Sequence, residues 1–391
     1  MKEILENLAL SNDLQELYSG VLDTLEGLVR GFPADTWRNA LTGDGSLSRE
    51  ITQTIYDAGL MGLGVEEEHG GMGGGLLGQV LLYDVLAQHG FISLSAVLTG
   101  FCREPVLNFG TPAQIEKFAV PSISGEKSFC ILATEPNAGT NTFNNTTRAV
   151  KKGNKWILNG QKIYTTEAAR TDYGFLIAKT GDEQRSGLSI FMLDMKSPGI
   201  DMTELNISIA GGEKQYQVFF DNVEMPEDAL IGEEGRGGKY MFSGLNAERL
   251  LIAAMTVGIS DIALRETTKY VKERVLFGDR PTGSYQAVQH PLAQAKADTE
   301  GARLLMYLGA KQYDDGKDAG KFANMAKLQS SIAATNMCDA AIQFHGGSGM
   351  DEDTGMLALW RSARAIKIAP LNNEMILNYI AEHVVGLPRS Y

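Results

Sequence analysis

The order of patterns in this sequence predicts an α+β chain in which a block of β structure is held between two helical blocks. Three observations predict it: helical apolar spacing over residues 1–128, short strand-like runs over 129–236, and long helical periodicity again over 237–391. In the first block Leu22, Leu25, Leu28 and Val29, then Ile51, Ile55 and Leu60, recur at roughly helical spacing between Gly, Pro and Asp breaks. A glycine-rich stretch from His69 to Gly75 interrupts it. In the second block the runs FCILA, KWILNG, YGFLIAK, LSIFMLD and YQVFF are set apart by Asn-Gly, Ser-Pro-Gly and Gly-Gly signals, the grammar of strands and turns. In the third, Leu251, Met255, Ile259 and Ile262 open a helical pattern that continues with few breakers to Val385. No internal repeat is visible, and no linker is long enough to free one block from the others.

Composition narrows the class of function. The 391 residues suffice for two to three domains. Lys+Arg 35 against Asp+Glu 48 leaves a net charge of −13, and no run of basic residues offers a surface for nucleic acid or anionic lipid. Cys102, Cys130 and Cys338 are scattered without C-x-x-C spacing, which argues against a disulfide scaffold or structural zinc and suits a reducing compartment. No apolar stretch is long enough to span a membrane, and the N-terminus is acidic and amphipathic rather than leader-like. The expectation is a soluble cytoplasmic protein.

Three motifs are set aside on their context. Gly73 to Gly78 satisfies G-x-G-x-x-G, yet the acidic Glu66-Glu67-Glu68-His69 precedes it where a dinucleotide fold needs a buried strand, so a helix-to-helix turn is the better reading. His345-Gly346-Gly347 is an oxyanion-hole-like string without the G-x-S-x-G elbow that a serine hydrolase requires. The five histidines never stand in metal-ligand spacing, and no metal is expected.

Two strings are harder to assign to scaffolding. Ala133-Thr134-Glu135-Pro136-Asn137-Ala138-Gly139-Thr140-Asn141 runs a strand into a turn rich in hydroxyls and amides, able to present backbone N–H groups to an acceptor. Asn159-Gly160-Gln161-Lys162-Ile163-Tyr164-Thr165-Thr166 reads as a hairpin closed by Asn-Gly, after which Tyr164 and Thr166 share one strand face that could hold a flat ring. Alone, each is more often an ordinary loop or hairpin; together they carry more weight.

With Glu68-His69-Gly70-Gly71-Met72-Gly73, Thr134-Glu135-Pro136, Gly160-Gln161-Lys162-Ile163-Tyr164, Glu248-Arg249, Glu273 to Gly278, Gln286 and Gln343 to Gly349 in that order, the sequence resembles the acyl-CoA dehydrogenase family over nearly its whole length. The resemblance implies an N-terminal helical domain (1–128), a central β-barrel or sandwich domain (129–236), a C-terminal four-helix bundle (237–391) and FAD as cofactor. It implies that Ile131, Ala133, Thr134, Tyr164 and Thr166 meet the isoalloxazine, with Gly139 and Thr140 in the adjoining turn and Thr140 also where the family's serine meets the CoA arm. Asn141 stands where an aspartate is usual. Arg274, Phe277, Gln286, Gln343, Gly346 and Gly347 resemble residues that hold the pyrophosphate and adenine of a neighbouring subunit's FAD, which implies at least a dimer and, by family, a homotetramer. For Arg274 the bland alternative is a helix salt bridge near Glu273. An electron-transferring flavoprotein is the acceptor the resemblance suggests.

Desaturation of an acyl-CoA needs a base for the α-proton, polarisation of the thioester carbonyl and a hydride acceptor. Much of the family carries its base as a glutamate before a Gly-Thr pair, where this chain has Pro370-Leu371-Asn372. In the isovaleryl-CoA and long-chain branches the base precedes an arginine on an earlier helix, a pattern matched by Gly244-Leu245-Asn246-Ala247-Glu248-Arg249-Leu250, so Glu248 is the expected base, with Leu245 and Arg249 beside the substrate. Apolar neighbours should raise its pKa towards working pH; an ordinary charged pair on a solvated helix face is the alternative. Pro370 lacks the N–H that the family uses at this place to hold the thioester oxygen, so either another amide serves or the polarisation is weaker. Asn372 stands where a threonine contacts the cofactor. Arg103 either points inward, where it would favour an anionic acyl tail, or lies exposed beside Glu104. Acyl-CoA oxidation by oxygen, redox-neutral desulfination and a non-catalytic subunit of a flavoprotein assembly are the competing readings.

Overall fold

A computed structural model describes residues 2–33, 35–181, 187–207 and 210–390 of the chain. The principal helices before the sheet are α1 (Asn12–Arg30), α2 (Ser46–Asp57), α3 (Gly75–Gln88) and α4 (Leu94–Phe109). Among the described residues eight strands follow: β1 (Phe129–Leu132), β2 (Arg148–Lys152), β3 (Lys155–Thr166), β4 (Tyr173–Lys179), β5 (Leu188–Asp194), β6 (Ile200–Leu205), β7 (Gln215–Pro226) and β8 (Leu230–Ile231). The chain then returns to helix in α5 (Leu245–Glu273), α6 (Gln286–Asp314), α7 (Gly320–His345), α8 (Met356–Ile366) and α9 (Asn373–Ile380). The helical, β, helical order is the one the changes of period predict.

The strands lie in the order β6-β7-β3-β2-β4-β5-β8, with β1 added to β4 in parallel. One expectation is corrected. Asn159-Gly160 closes no hairpin; β3 runs straight through it, and the turn lies earlier, where Lys152 pairs with Lys155. Gly160 instead sits at a register shift against β7 with φ +142, and a Cβ there would lie 2.5 Å from the Thr147 hydroxyl. Glycine is needed for a bulge and a close strand approach rather than for a turn.

Three apolar cores position the functional residues. The largest joins Tyr18, Leu25, Val80 and Leu81 of the early helices to Leu250, Ile259, Met306 and Met337 of the late ones, so the two helical blocks share one interior. A second fills the sheet around Trp156, Leu176 and Phe191. The third seats α4 on the sheet through Phe101, Val106, Phe129 and Phe175. Polar ties fix the same joints. The Glu213 carboxylate, between β6 and β7, accepts from the Leu94 and Ser95 amides at 3.1 and 2.8 Å and so caps α4. Arg303 on α6 donates to Asp84 on α3 at 3.0 Å and to Asp261 on α5. The glycine-rich turn also acquires a reason: the α3 N-terminus gives its Leu76 and Leu77 amides to the Asp314 carboxylate at 2.8 and 2.9 Å. An internal side chain thus takes the place that a phosphate occupies in a dinucleotide fold.

Candidate active site

The turn after β1 is braced from below by a buried ion pair. Lys162 on β3 donates at 3.0 Å both to the Glu135 carboxylate and to the Ala133 carbonyl. Glu135 also accepts from the Thr146 amide and hydroxyl at 2.6 and 2.7 Å and from the Thr147 amide at 2.9 Å. Burial opposes its charge, yet Lys162 and these donors hold its carboxyl down at about 2. Asn145 donates to the Ala133 carbonyl at 2.8 Å, and the Ile163 amide to the Thr134 carbonyl at 2.9 Å. Ala133 and Thr134 therefore have their carbonyls engaged beneath them and stand half-buried, with Ile131, at the head of β1.

Tyr164 is held at φ +61, unusual for an aromatic residue, next to a second register shift between Lys162 and Thr165. Its ring is 58% exposed, whereas Thr166 is buried and receives a hydrogen bond from Gln215 at 2.9 Å. This corrects the expectation of a shared strand face: the shift interrupts the alternation that would have aligned them. Thr165 keeps a buried hydroxyl without a partner among the described residues, and so does the Asn145 side-chain oxygen. Such orphaned polar atoms beside an exposed aromatic suit a flat ligand with a polar edge.

Glu248 lies in the first turn of α5 and is 5% exposed. Its carboxylate forms no hydrogen bond among the described residues. Burial raises its pKa to about 7, against the opposing fields of Arg249 and Lys327. Its field also reaches Cys102 on α4 and adds to the burial that raises that thiol's pKa. Arg249 donates to the Asn246 side chain at 3.0 Å and retains a buried Nε without a partner. Leu245 stands half-buried one turn before. The solvated charged pair is thereby excluded.

Asn372 caps α9 through its side-chain oxygen, which accepts from Met375 at 2.9 Å, while its Nδ2 donates to the Thr140 hydroxyl at 3.0 Å. Two residues 232 positions apart in the chain thus meet. Gly139, next to Thr140, is exposed, and a Cβ there would meet only the Thr134 methyl, at 4.0 Å. Pro370 follows a cis peptide bond.

The other predicted residues lie elsewhere. Arg274 ends α5, Gln286 begins α6, and Gln343, Gly346 and Gly347 end α7, all at one end of the bundle where Tyr270 stacks on His345 at 4.4 Å. α5 has 29 residues, so this end is roughly 40 Å from Glu248. The Arg274 side chain has no carboxylate partner among the described residues, so the helix salt bridge is not formed, and Phe277 beside it is 81% exposed.

Arg103 is a correction to the exposed alternative. It is buried, donates to the Ser122 and Met61 carbonyls at 3.4 Å, and lies near Tyr56 and Tyr83 rather than beside Glu104 in solvent. Lys327 is the residue that the sequence reading missed: 0% exposed on α7, it donates to the Leu371 carbonyl at 2.6 Å and to the Asn373 side chain at 2.9 Å. The signal available was a lysine inside the stripe of Ala323, Ala326, Ser330 and Ala334, a position where a long cation needs a reason. Among the described residues no helix is long and apolar enough to cross a membrane.

Comparison with known proteins follows the same division. The acyl-CoA dehydrogenase N-terminal domain matches residues 23–126, the middle domain 130–223 and the C-terminal domain 235–385. The chain is 34% identical over 338 residues to acyl-CoA dehydrogenase FadE12 of Mycobacterium tuberculosis, covering 85% of this chain and 87% of that one. It is 31% identical over 332 residues to the CarC subunit of the caffeyl-CoA reductase-Etf complex of Acetobacterium woodii, covering 83% and 86%. The solved butyryl-CoA dehydrogenase of Megasphaera elsdenii superposes with a TM-score of 0.87 at 29% identity, covering 96% of this chain and 99% of that one.

Proposed function

The chain belongs to the acyl-CoA dehydrogenase family, and from that premise we propose that it oxidises an acyl-CoA thioester to the 2-enoyl-CoA with Glu248 as the base for the α-proton. As a member of that family it is a flavin oxidoreductase with FAD as its cofactor, and acyl-CoA dehydrogenation is its general reaction. The bound flavin supplies the hydride acceptor for the β-carbon. The observation that carries the base is the state of Glu248: buried, without a hydrogen bond among the described residues, and poised near neutrality by burial against two cations. An abstracting carboxylate needs a pKa close to working pH and oxygens that are not already engaged. Arg249, with its unpartnered Nε, orients that carboxylate or the substrate beside it.

The residues present fit the cofactor. Ile131, Ala133, Thr134, Tyr164 and Thr166, with Gly139 and Thr140 in the adjoining turn, would hold the ring and its polar edge, while Asn372 closes the turn through Thr140. The distant Arg274, Phe277, Gln286, Gln343, Gly346 and Gly347 would serve the flavin of a second copy, an arrangement supported by the length of α5 and completed in a homotetramer. Pro370 has no N–H to give the thioester oxygen. The Leu371 and Asn372 amides, which donate to no acceptor among the described residues, are the neighbouring donors able to replace it. An electron-transferring flavoprotein is the proposed acceptor, in keeping with the Etf complex to which the CarC relative belongs.

The test is an anaerobic screen of CoA thioesters against the FAD-loaded protein, read as loss of flavin absorbance. Bleaching by a saturated acyl-CoA, with formation of its 2-enoyl product, supports dehydrogenation. A flavin that stays oxidised across the screen while the thioester is consumed refutes it in favour of a redox-neutral reaction.

A further inference from the structure

Lys327 has no exposed surface, although an ammonium is among the costliest groups to bury. No carboxylate pairs with it among the described residues; its contacts are the Leu371 carbonyl at 2.6 Å and the Asn373 side-chain oxygen at 2.9 Å. Asn373 is itself buried and donates to the Ser331 hydroxyl at 3.0 Å, one turn along α7 from Lys327. Segment 370–373 is thus tied on one side to α7. On the other, Asn372 ties it to Thr140 in the turn after β1 at 3.0 Å. The charged groups that face Lys327 from the elements packed against it are Glu248 and Arg249 on α5 and Glu374 at the start of α9, while its α7 neighbours Ser330 and Ser331 are neutral.

We propose that Lys327 is a positioning residue for proton abstraction: it clamps segment 370–373 between α7 and the turn after β1, and its positive charge opposes protonation of Glu248. The inference rests on Glu248 being the base. Two physical consequences follow from one ammonium. Holding the Leu371 carbonyl fixes the plane of the following peptide, so the Asn372 N–H points away from Lys327 and cannot rotate freely. The positive charge also stabilises a nearby carboxylate against protonation. Burial and Arg249 push the Lys327 ammonium itself down to about 7, against Glu374 and Glu248, so its charge is present on the acid side of neutrality, where Glu248 takes up its proton, and opposes that uptake.

The test uses the FAD-loaded enzyme and a CoA thioester that bleaches the wild type. It compares Lys327→Gln, which keeps a donor without a charge, Lys327→Met, which keeps neither, and Ser331→Ala, which loosens Asn373 without changing charge. Two readouts are taken: the acid limb of kcat/KM against pH, and deuterium exchange of peptides covering 368–378. Lys327→Gln and Lys327→Met should move the acid limb up by about one pH unit, tenfold in proton affinity. Lys327→Met and Ser331→Ala should speed exchange in 368–378, and Ser331→Ala should leave the acid limb in place. If Lys327→Met does not fold, Lys327→Gln carries the charge test and Ser331→Ala the clamp. An acid limb in Lys327→Gln that is unmoved or lowered overturns the field; unchanged exchange in Ser331→Ala overturns the clamp. Glu248→Gln run alongside separates the two levels: wild-type turnover in that variant removes the base, whereas an inactive variant with an unmoved Lys327→Gln limb removes only Lys327.

Discussion

Replacing Glu248 by glutamine should make the protein less active and, as pH rises through neutrality, more stable than the wild type. The folded carboxyl is raised from 4.5 to about 7 by burial, so between those values the folded state binds a proton that the unfolded chain has released. Stability then falls as pH rises through this window, because the native state holds more protons than the unfolded one. The shift corresponds to about 3 kcal/mol once the pH is above 7. Glutamine carries no charge to bury, so Glu248→Gln should match the wild type near pH 4.5 and exceed it by up to about 3 kcal/mol at pH 8, read as urea midpoints of the FAD-loaded protein. Over the same range the rate of anaerobic flavin bleaching should drop by about 10²- to 10⁴-fold, the usual contribution of a positioned base. Stability curves that run parallel from pH 4.5 to 8 would refute the raised pKa. Bleaching that survives intact would refute the catalytic role, whatever the stability shows.

Lys162→Met strands the Glu135 carboxylate under the turn after β1; the expected loss is about 3 to 5 kcal/mol, with faster FAD release followed by flavin fluorescence. Because Glu135 is held down at about 2, the wild type should lose stability as pH falls from about 4.5 towards 2, and acid titration of Glu135→Gln should lack that component. Arg303→Met leaves Asp84 buried without its partner and should destabilise by a similar 3 to 5 kcal/mol in thermal or urea unfolding, with the bundle rather than the sheet losing amide protection first. Arg274→Ala should weaken FAD binding about 10- to 100-fold by equilibrium dialysis while leaving the monomer fold intact, since its guanidinium makes no ion pair among the described residues.

Much of the architecture was legible before any coordinates because it is written in local periods. The change from a spacing near 3.6 to short alternating runs and back marks the helical, β, helical order, since each period reflects one buried face. The Glu248-Arg249 pair was also readable, as a motif. The upward direction of its pKa followed from its apolar neighbours; that the carboxylate is buried rather than solvated, and that Lys327 of α7 opposes the rise, did not, because both depend on the interior shared by the two helical blocks. The Asn159-Gly160 dipeptide shows why short-range signals mislead: it carries hairpin chemistry, but Thr147 crosses so close that the glycine is used for a bulge instead. Arg103 beside Glu104 looked like a surface pair, yet the Met61 and Ser122 carbonyls, 42 and 19 residues away, receive it. Local order in the chain therefore determined which elements form and which turn and carboxylate could do chemistry. Only tertiary contact decided the burial of Glu248, the hydrogen bond of Lys327 across 44 residues to Leu371, and the burial of Arg103, because burial, fields and distance arise only when segments remote in sequence are packed together.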